Sequence, residues 1–121
     1  KTVLITGSST GIGREAAVYF HEQGWQVIAT MRHPEQRQTV LHNIKGIRLL
    51  HLDVLDDNSI HQAVQTAVKE YEHLDVLVNN AGYAVVGPFE AATKEQMYRQ
   101  FSTNVLGLMV VTQKAIPVFR S

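Results

Sequence analysis

The sequence predicts an α/β fold organised as a doubly wound parallel sheet. Three observations point there. "TVLIT" (2–6) is a short, β-branched, almost wholly apolar run, as a strand covered on both faces requires, and "QVIATM" (26–31), "IRLLHL" (47–52) and "DVLVN" (75–79) read as the second, third and fourth strands. Segments with helical periodicity stand between them, so each strand is followed by a crossover to a parallel neighbour. A glycine-rich turn, "TGSSTGIG" (6–13), closes the first strand and opens the first helix.

After that turn, Ile12, Ala16 and Phe20 recur at helical spacing up to Gly24, a natural helix stop. The second strand follows at 26–31, and the polar stretch 32–46 is read as a short helix. Beyond the third strand, "DNSIHQAVQTAVKEY" carries Ile60, Ala63, Val64, Ala67, Val68 and Tyr71 on one face, a helix packed on a sheet. Asp56 and Asp57 read as caps for that helix. "TKEQ" (93–96) has the form of a capping box opening a long helix to about residue 116. No linker, low-complexity tract or internal repeat interrupts residues 1–121, which read as one domain. The chain opens on the first residue of a strand and closes directly after a helical pattern, so the sheet is expected to be incomplete at its C-terminal end.

Composition narrows the function. Of 121 residues, 45% are hydrophobic, and 11 Lys and Arg balance 11 Asp and Glu. No field of one sign draws the chain to nucleic acid or an anionic membrane. No apolar run approaches the roughly 18 residues of a membrane span. The chain has no cysteine, which excludes disulfides and thiolate zinc and suits a reducing, cytoplasmic location. Its six histidines are nine to twelve residues apart, which gives no helical metal-ligand pair, and no metal is expected.

The glycine turn is the chemical signal. Glycines at the junction of a strand and a helix let unpaired backbone N–H groups and the positive helix end hold a pyrophosphate. Gly7 permits the turn, Gly11 lets backbone approach phosphate, and Gly13 lets the helix sit against the sheet. Ser8, Ser9 and Thr10 add hydroxyls, and no Gly-Lys-Ser/Thr follows, which excludes a P-loop. A tight turn without a ligand is the competing reading of the glycines alone. About 20 residues past the glycines, where NAD-binding folds place an acid, the chain has Met31 and Arg32. A guanidinium there can bind a ribose 2′-phosphate, so NADP(H) is the expected cofactor, with His33 a further donor.

With "TGSSTGIG", "NNAG" (79–82), Asp53-Val54 after the third strand, and Asn104 in "FSTNVLG" in the same order, the chain resembles the short-chain dehydrogenase/reductase family over its whole length. Within that family, "NNAGYAVVGPFE" and "VIATMRHPE" are similar to a group of steroid-, retinol- and lipid-ketone-reducing members. The resemblance implies a Rossmann-type domain and an NADP(H)-dependent oxidoreductase interconverting a ketone and an alcohol by hydride transfer. It implies cofactor contacts from Gly7, Ser9, Thr10, Gly11, Ile12, Gly13, Arg32, Asp53, Val54, Asn80, Ala81 and Gly82. Asn79 is expected to be structural, Asn80 to lie beside the adenosine ribose, and Asn104 to bend its helix and position a water in the proton relay. The family's serine and its Tyr-x-x-x-Lys pair have no match here: none of Tyr19, Tyr71, Tyr83 or Tyr98 is followed by lysine at the fourth position. Residues 1–121 are therefore expected to hold the cofactor half of a longer domain and to be inactive alone. Tyr83 is expected to border the cleft. The two apolar stripes of the last helix, with Met97, Phe101, Val105, Leu108, Met109 and Val111, suit a homodimer or homotetramer. The alternative is a non-catalytic dinucleotide-binding sensor or scaffold.

Overall fold

The computed structural model describes all residues, Lys1–Ser121. Four strands, β1 (Thr2–Ile5), β2 (Gln26–Met31), β3 (Ile47–His51) and β4 (Val76–Val78), form one sheet in the order β3-β2-β1-β4. Every neighbouring pair is parallel. The chain winds from β1 outward to β3, then returns to place β4 on the other side of β1. That reversal opens a crevice beyond the carboxyl ends of β1 and β4, where sheets of this kind bind ligands.

Alternation along each strand fills two cores. Val3, Ile5, Val27, Ala29 and Met31 face one way and pack with Ala17 of helix α1 (Gly11–Glu22) and with Leu41. Leu4 and Ile28 face the other way and meet Ala67 of α2 (Asp57–Tyr71) and Ala115 of the C-terminal helix. Both faces of β1 and β2 are thus buried, which is why those strands read as continuous apolar runs.

The face of α1 differs from the expected one. Ile12 is 81% exposed, while Gly13 and Ala17 are buried and Ala16 and Phe20 are half-buried. Gly13 and Ala17, four apart, form the close-packed face of the helix, which turns Ile12 outward toward the crevice. Segment 32–46 contains one 3₁₀ turn, Val40–Asn43, rather than an α-helix. It has a single buried anchor, Leu41, and its polar ends cap it: the Thr39 hydroxyl accepts from the Leu41 N–H (3.1 Å), and His42 Nδ1 accepts from the Thr39 N–H (3.0 Å). In that tautomer Nε2 donates to the Pro34 carbonyl (2.8 Å).

Helix α2 begins where expected, with the Asp56 carboxylate accepting from the N–H groups of Asn58 and Ser59. Thr93 and Gln96 form the expected reciprocal cap, with bonds of 2.9 and 3.1 Å. The last helix runs as α3 (Lys94–Phe101), a π turn (Ser102–Gly107) and α4 (Leu108–Phe119). It continues past Pro117 to Phe119. No helix is long and apolar enough to cross a membrane.

Candidate functional site: a crevice at the carboxyl ends of β1, β2 and β4

The floor of the crevice is the turn after β1. Gly7 has φ +66°, a left-handed conformation that a side chain would strain, and a Cβ there would lie 2.8 Å from Ala81 Cα. A Cβ on Gly13 would overlap the Gly7 carbonyl and the Asn80 side-chain amide. The third glycine therefore seats α1 against the β1 and β4 loops rather than against the sheet itself. Around Gly11 there is open space: nothing lies within 4 Å of where its Cβ would be.

The N-terminus of α1 is bare. Thr10, its N-cap, makes no side-chain cap bond, and the first turn has no acid. Helices α2 and α3 both have side-chain caps and an acid in the first turn, Asp57 and Glu95. The leading N–H groups of α1 thus keep the donor capacity and positive helix end that an anion needs.

A network centred on Thr6 fixes the two loops. The Thr6 hydroxyl accepts from the N–H groups of Asn80 and Ala81, both at 3.0 Å. Asn80 Nδ2 donates to the carbonyls of Thr6 (3.1 Å) and Gly7 (3.0 Å). The amide end of Asn80 is thereby committed to the glycine turn, leaving its Oδ1 for a ligand. Asn79 points elsewhere and donates to the Thr112 hydroxyl at 2.9 Å, tying β4 to α4.

The adenine-side wall follows β3. Asp53 N–H donates to the Ser59 hydroxyl (2.9 Å), and Asp53 Oδ1 accepts from Leu55 N–H (2.9 Å), which leaves the second carboxylate oxygen as an acceptor. Past β2, Arg32 lines the same crevice, with no carboxylate within ion-pairing distance of its guanidinium.

One cavity of about 1080 Å³ brings together Gly7, Ser9, Thr10, Gly11, Ile12, Arg32, Asp53, Val54, Asn80, Ala81 and Gly82, so every residue expected to contact a cofactor lines it except Gly13. Gly13 lies behind the turn and acts through packing. Tyr83 lines the cavity as expected. Arg37, Arg99 and Thr103 also line it and were not singled out from the sequence. Arg37 had a local signal: its N–H bonds the His33 carbonyl at 3.1 Å, and one turn brings it back toward Arg32. Arg99 and Thr103 had none, because only the path of α3 across the crevice brings them there.

Asn104 lies at the far end, in the π turn, where it lines an adjoining cavity of about 600 Å³ walled by Val85, Phe89, Met97 and Phe101. Its Nδ2 donates to the Tyr83 carbonyl (2.7 Å) and its Oδ1 accepts from the Tyr83 N–H (3.0 Å). Asn104 is half-buried, while its neighbours Val105 and Leu106 are exposed. The side chain is held by the backbone after "NNAG", not by an apolar pocket. The helix takes a π turn across this residue, Ser102–Gly107.

The crevice suits a dinucleotide: a bare helix N-terminus and open space at Gly11 for phosphates, a carboxylate oxygen at Asp53 for a base, and an unpaired guanidinium past β2. Comparison with known proteins agrees. A family model described as short chain dehydrogenase matches residues 1–121. A 3-ketodihydrosphingosine reductase of Bacteroides thetaiotaomicron is 37% identical over 118 residues, covering 98% of this chain and 42% of the relative. A short-chain type dehydrogenase/reductase from Mycobacterium marinum superposes with a TM-score of 0.90 at 31% identity, covering 98% of this chain and 49% of that one. ElxO with NADP bound matches with a TM-score of 0.87 at 31% identity, over 97% of this chain and 49% of that one. The chain spans about two fifths of the length of the curated relatives it matches.

Proposed function

The chain belongs to the short chain dehydrogenase family, and from that premise we propose that the whole protein is an NADP(H)-dependent oxidoreductase that interconverts a carbonyl and an alcohol. The observation that carries the cofactor choice is Arg32, which stands on the crevice wall after β2 where an acid would favour NAD. NADP(H), when bound, supplies or accepts the hydride.

The residues divide the binding between them. The N–H groups opening α1 hold the pyrophosphate, and the Arg32 guanidinium holds the 2′-phosphate with charge-assisted bonds. The free Asp53 oxygen accepts from the adenine amino group, and Val54 packs against the ring. Asn80 fixes the turn and offers Oδ1 beside the ribose. Asn104, clamped to Tyr83, sets the loop that borders the substrate end and orients a water in the proton relay. The serine and the Tyr-x-x-x-Lys pair that complete the chemistry are not among residues 1–121. The reading carries with it a neutral ketone or alcohol as substrate and a cytoplasmic location. It also includes a homodimer or homotetramer through the exposed apolar face of α3 and α4, which light scattering would register.

The test is cofactor affinity in the whole protein. Arg32→Ala is expected to weaken NADPH binding by about tenfold or more, equivalent to about 1.4 kcal/mol, and to leave NADH binding unchanged. Equal NADPH affinity in the native protein and the variant would overturn the assignment. NADPH binding without turnover of any carbonyl compound would reduce the protein to a dinucleotide-binding module.

A further inference from the structure

We infer that Gly107 is a positioning residue for the adenine end of the cofactor site: its missing side chain lets the last helix seat against Val54 and so sets the wall on which the base lies. The inference rests on the dinucleotide reading proposed above.

Gly107 is buried at the end of the π turn, and a Cβ there would lie 2.7 Å from Val54 Cβ, 2.8 Å from Val54 Cγ2 and 2.9 Å from the Val54 carbonyl oxygen. None of these atoms is the far end of a flexible side chain. A methyl group at 107 must therefore part the helix from the Asp53–Val54 segment.

That segment cannot give way by itself. The Ser59 hydroxyl accepts from Asp53 N–H (2.9 Å) and contacts the carbonyls of Asp53 (3.0 Å) and Asp56 (2.8 Å) as donor. Asp56 N–H donates to the Asp53 carbonyl at 2.9 Å. The turn is one block with the start of α2, and Val54 packs in the same cluster as Leu52, Ile60 and Val111.

The helix meets this block along one line. Thr103, four residues before Gly107, lines the dinucleotide crevice, and Val111, four residues after, is fully buried against Val54's cluster. At the other end of the π turn, Asn104 is clamped to Tyr83 by two hydrogen bonds. The wide turn, whose N–H groups reach five residues back instead of four, directs Asn104 to the loop after β4 and Gly107 to the turn after β3. One segment thus spans both ends of the cleft.

The experiment is a double-mutant cycle in the whole protein, with 2′,5′-ADP as the probe for the adenine end and NADPH-dependent turnover as the second readout. Gly107→Ala is expected to weaken 2′,5′-ADP by about tenfold and to raise KM for NADPH in step, with kcat at saturating NADPH within about threefold of native. In a Val54→Gly background the same substitution is expected to cost clearly less than in the native protein, because the two side-chain atoms it strikes, Cβ and Cγ2, are gone and only the carbonyl contact remains. Gly107→Ala that does not fold, alongside a double variant that folds and binds nearly as Val54→Gly does, supports the inference equally. Native-like 2′,5′-ADP affinity in Gly107→Ala overturns it, as does a double variant that fails to fold or shows no relief. If the native protein binds neither 2′,5′-ADP nor NADPH, it is the cofactor reading that falls.

Discussion

Thr6 shows how much of a site can hang on one hydroxyl. It is 1% exposed at the end of β1, and its oxygen satisfies the N–H groups of both Asn80 and Ala81. Valine has the same shape and no acceptor. Thr6→Val is therefore expected to cost the whole protein about 2–6 kcal/mol, since it leaves two donors unpaired at about 1–3 kcal/mol each. Thr6→Ser is expected to keep most of that stability, and urea denaturation of the three proteins checks both statements. Gly7, Gly11, Gly13 and Arg32 were legible because their signals are local: a spacing after a strand, or a charge where an acid is usual. The commitment of Asn80 to the glycine turn was not, because its partners lie 73 and 74 residues away in sequence.

Among the elements, those with local causes were readable and those with tertiary causes were not. The Thr93 capping box, the Asp56 cap and the apolar stripe of α2 are written in residues three or four apart, and all three stand where expected. The π turn has no such signature, because it is held by the clamp of Asn104 on Tyr83 and the close approach of Gly107 to Val54. Asn104→Ala removes the clamp. We expect kcat to fall by about tenfold or more, the kinetic equivalent of roughly 1.4 kcal/mol, with NADPH affinity within about threefold of native; steady-state kinetics separates the two. The start of β4 supplies a pH-dependent element. Thr2 N–H donates to Asp75 Oδ2 at 2.6 Å, and this bond above all, helped by the neighbouring His73, holds the Asp75 carboxyl below the usual carboxylate range. A carboxyl depressed in the folded state adds stability above its unfolded pKa of about 3.9 and loses it as pH falls through the folded value. The denaturation midpoint of Asp75→Asn, followed between pH 6 and pH 2, is expected to fall less steeply on the acid side than that of the native protein. Equal slopes would show that the Thr2–Asp75 bond contributes nothing.

At the scale of the molecule, the doubly wound parallel sheet followed from alternation and crossover rules, whereas the order of its strands and the covering of its outer surfaces did not. β4 is only half-buried along its length, and Met97, Phe101, Leu106 and Met109 on the last helix are exposed. A sequence states which residues are apolar but not which of them meet a partner when the partner's residues are elsewhere. What the assembled molecule does permit is a prediction about ligand-linked stability. The glycine turn, the Asp53 block and the β4 loop follow three separate strands, so a dinucleotide spanning them binds the folded state and has no counterpart in the unfolded chain. At about 100 times its dissociation constant such a ligand adds about 2.7 kcal/mol, which for a protein of this family's size raises Tm by roughly 5–10 °C. NADPH is expected to produce this shift at lower concentration than NADH. In Arg32→Ala the NADPH curve is expected to move to higher concentration while the NADH curve stays in place. Scanning both cofactors against both proteins checks the assignment without any knowledge of the substrate. Coincident NADPH and NADH curves in the native protein would mean that the guanidinium after β2 does not read the 2′-phosphate.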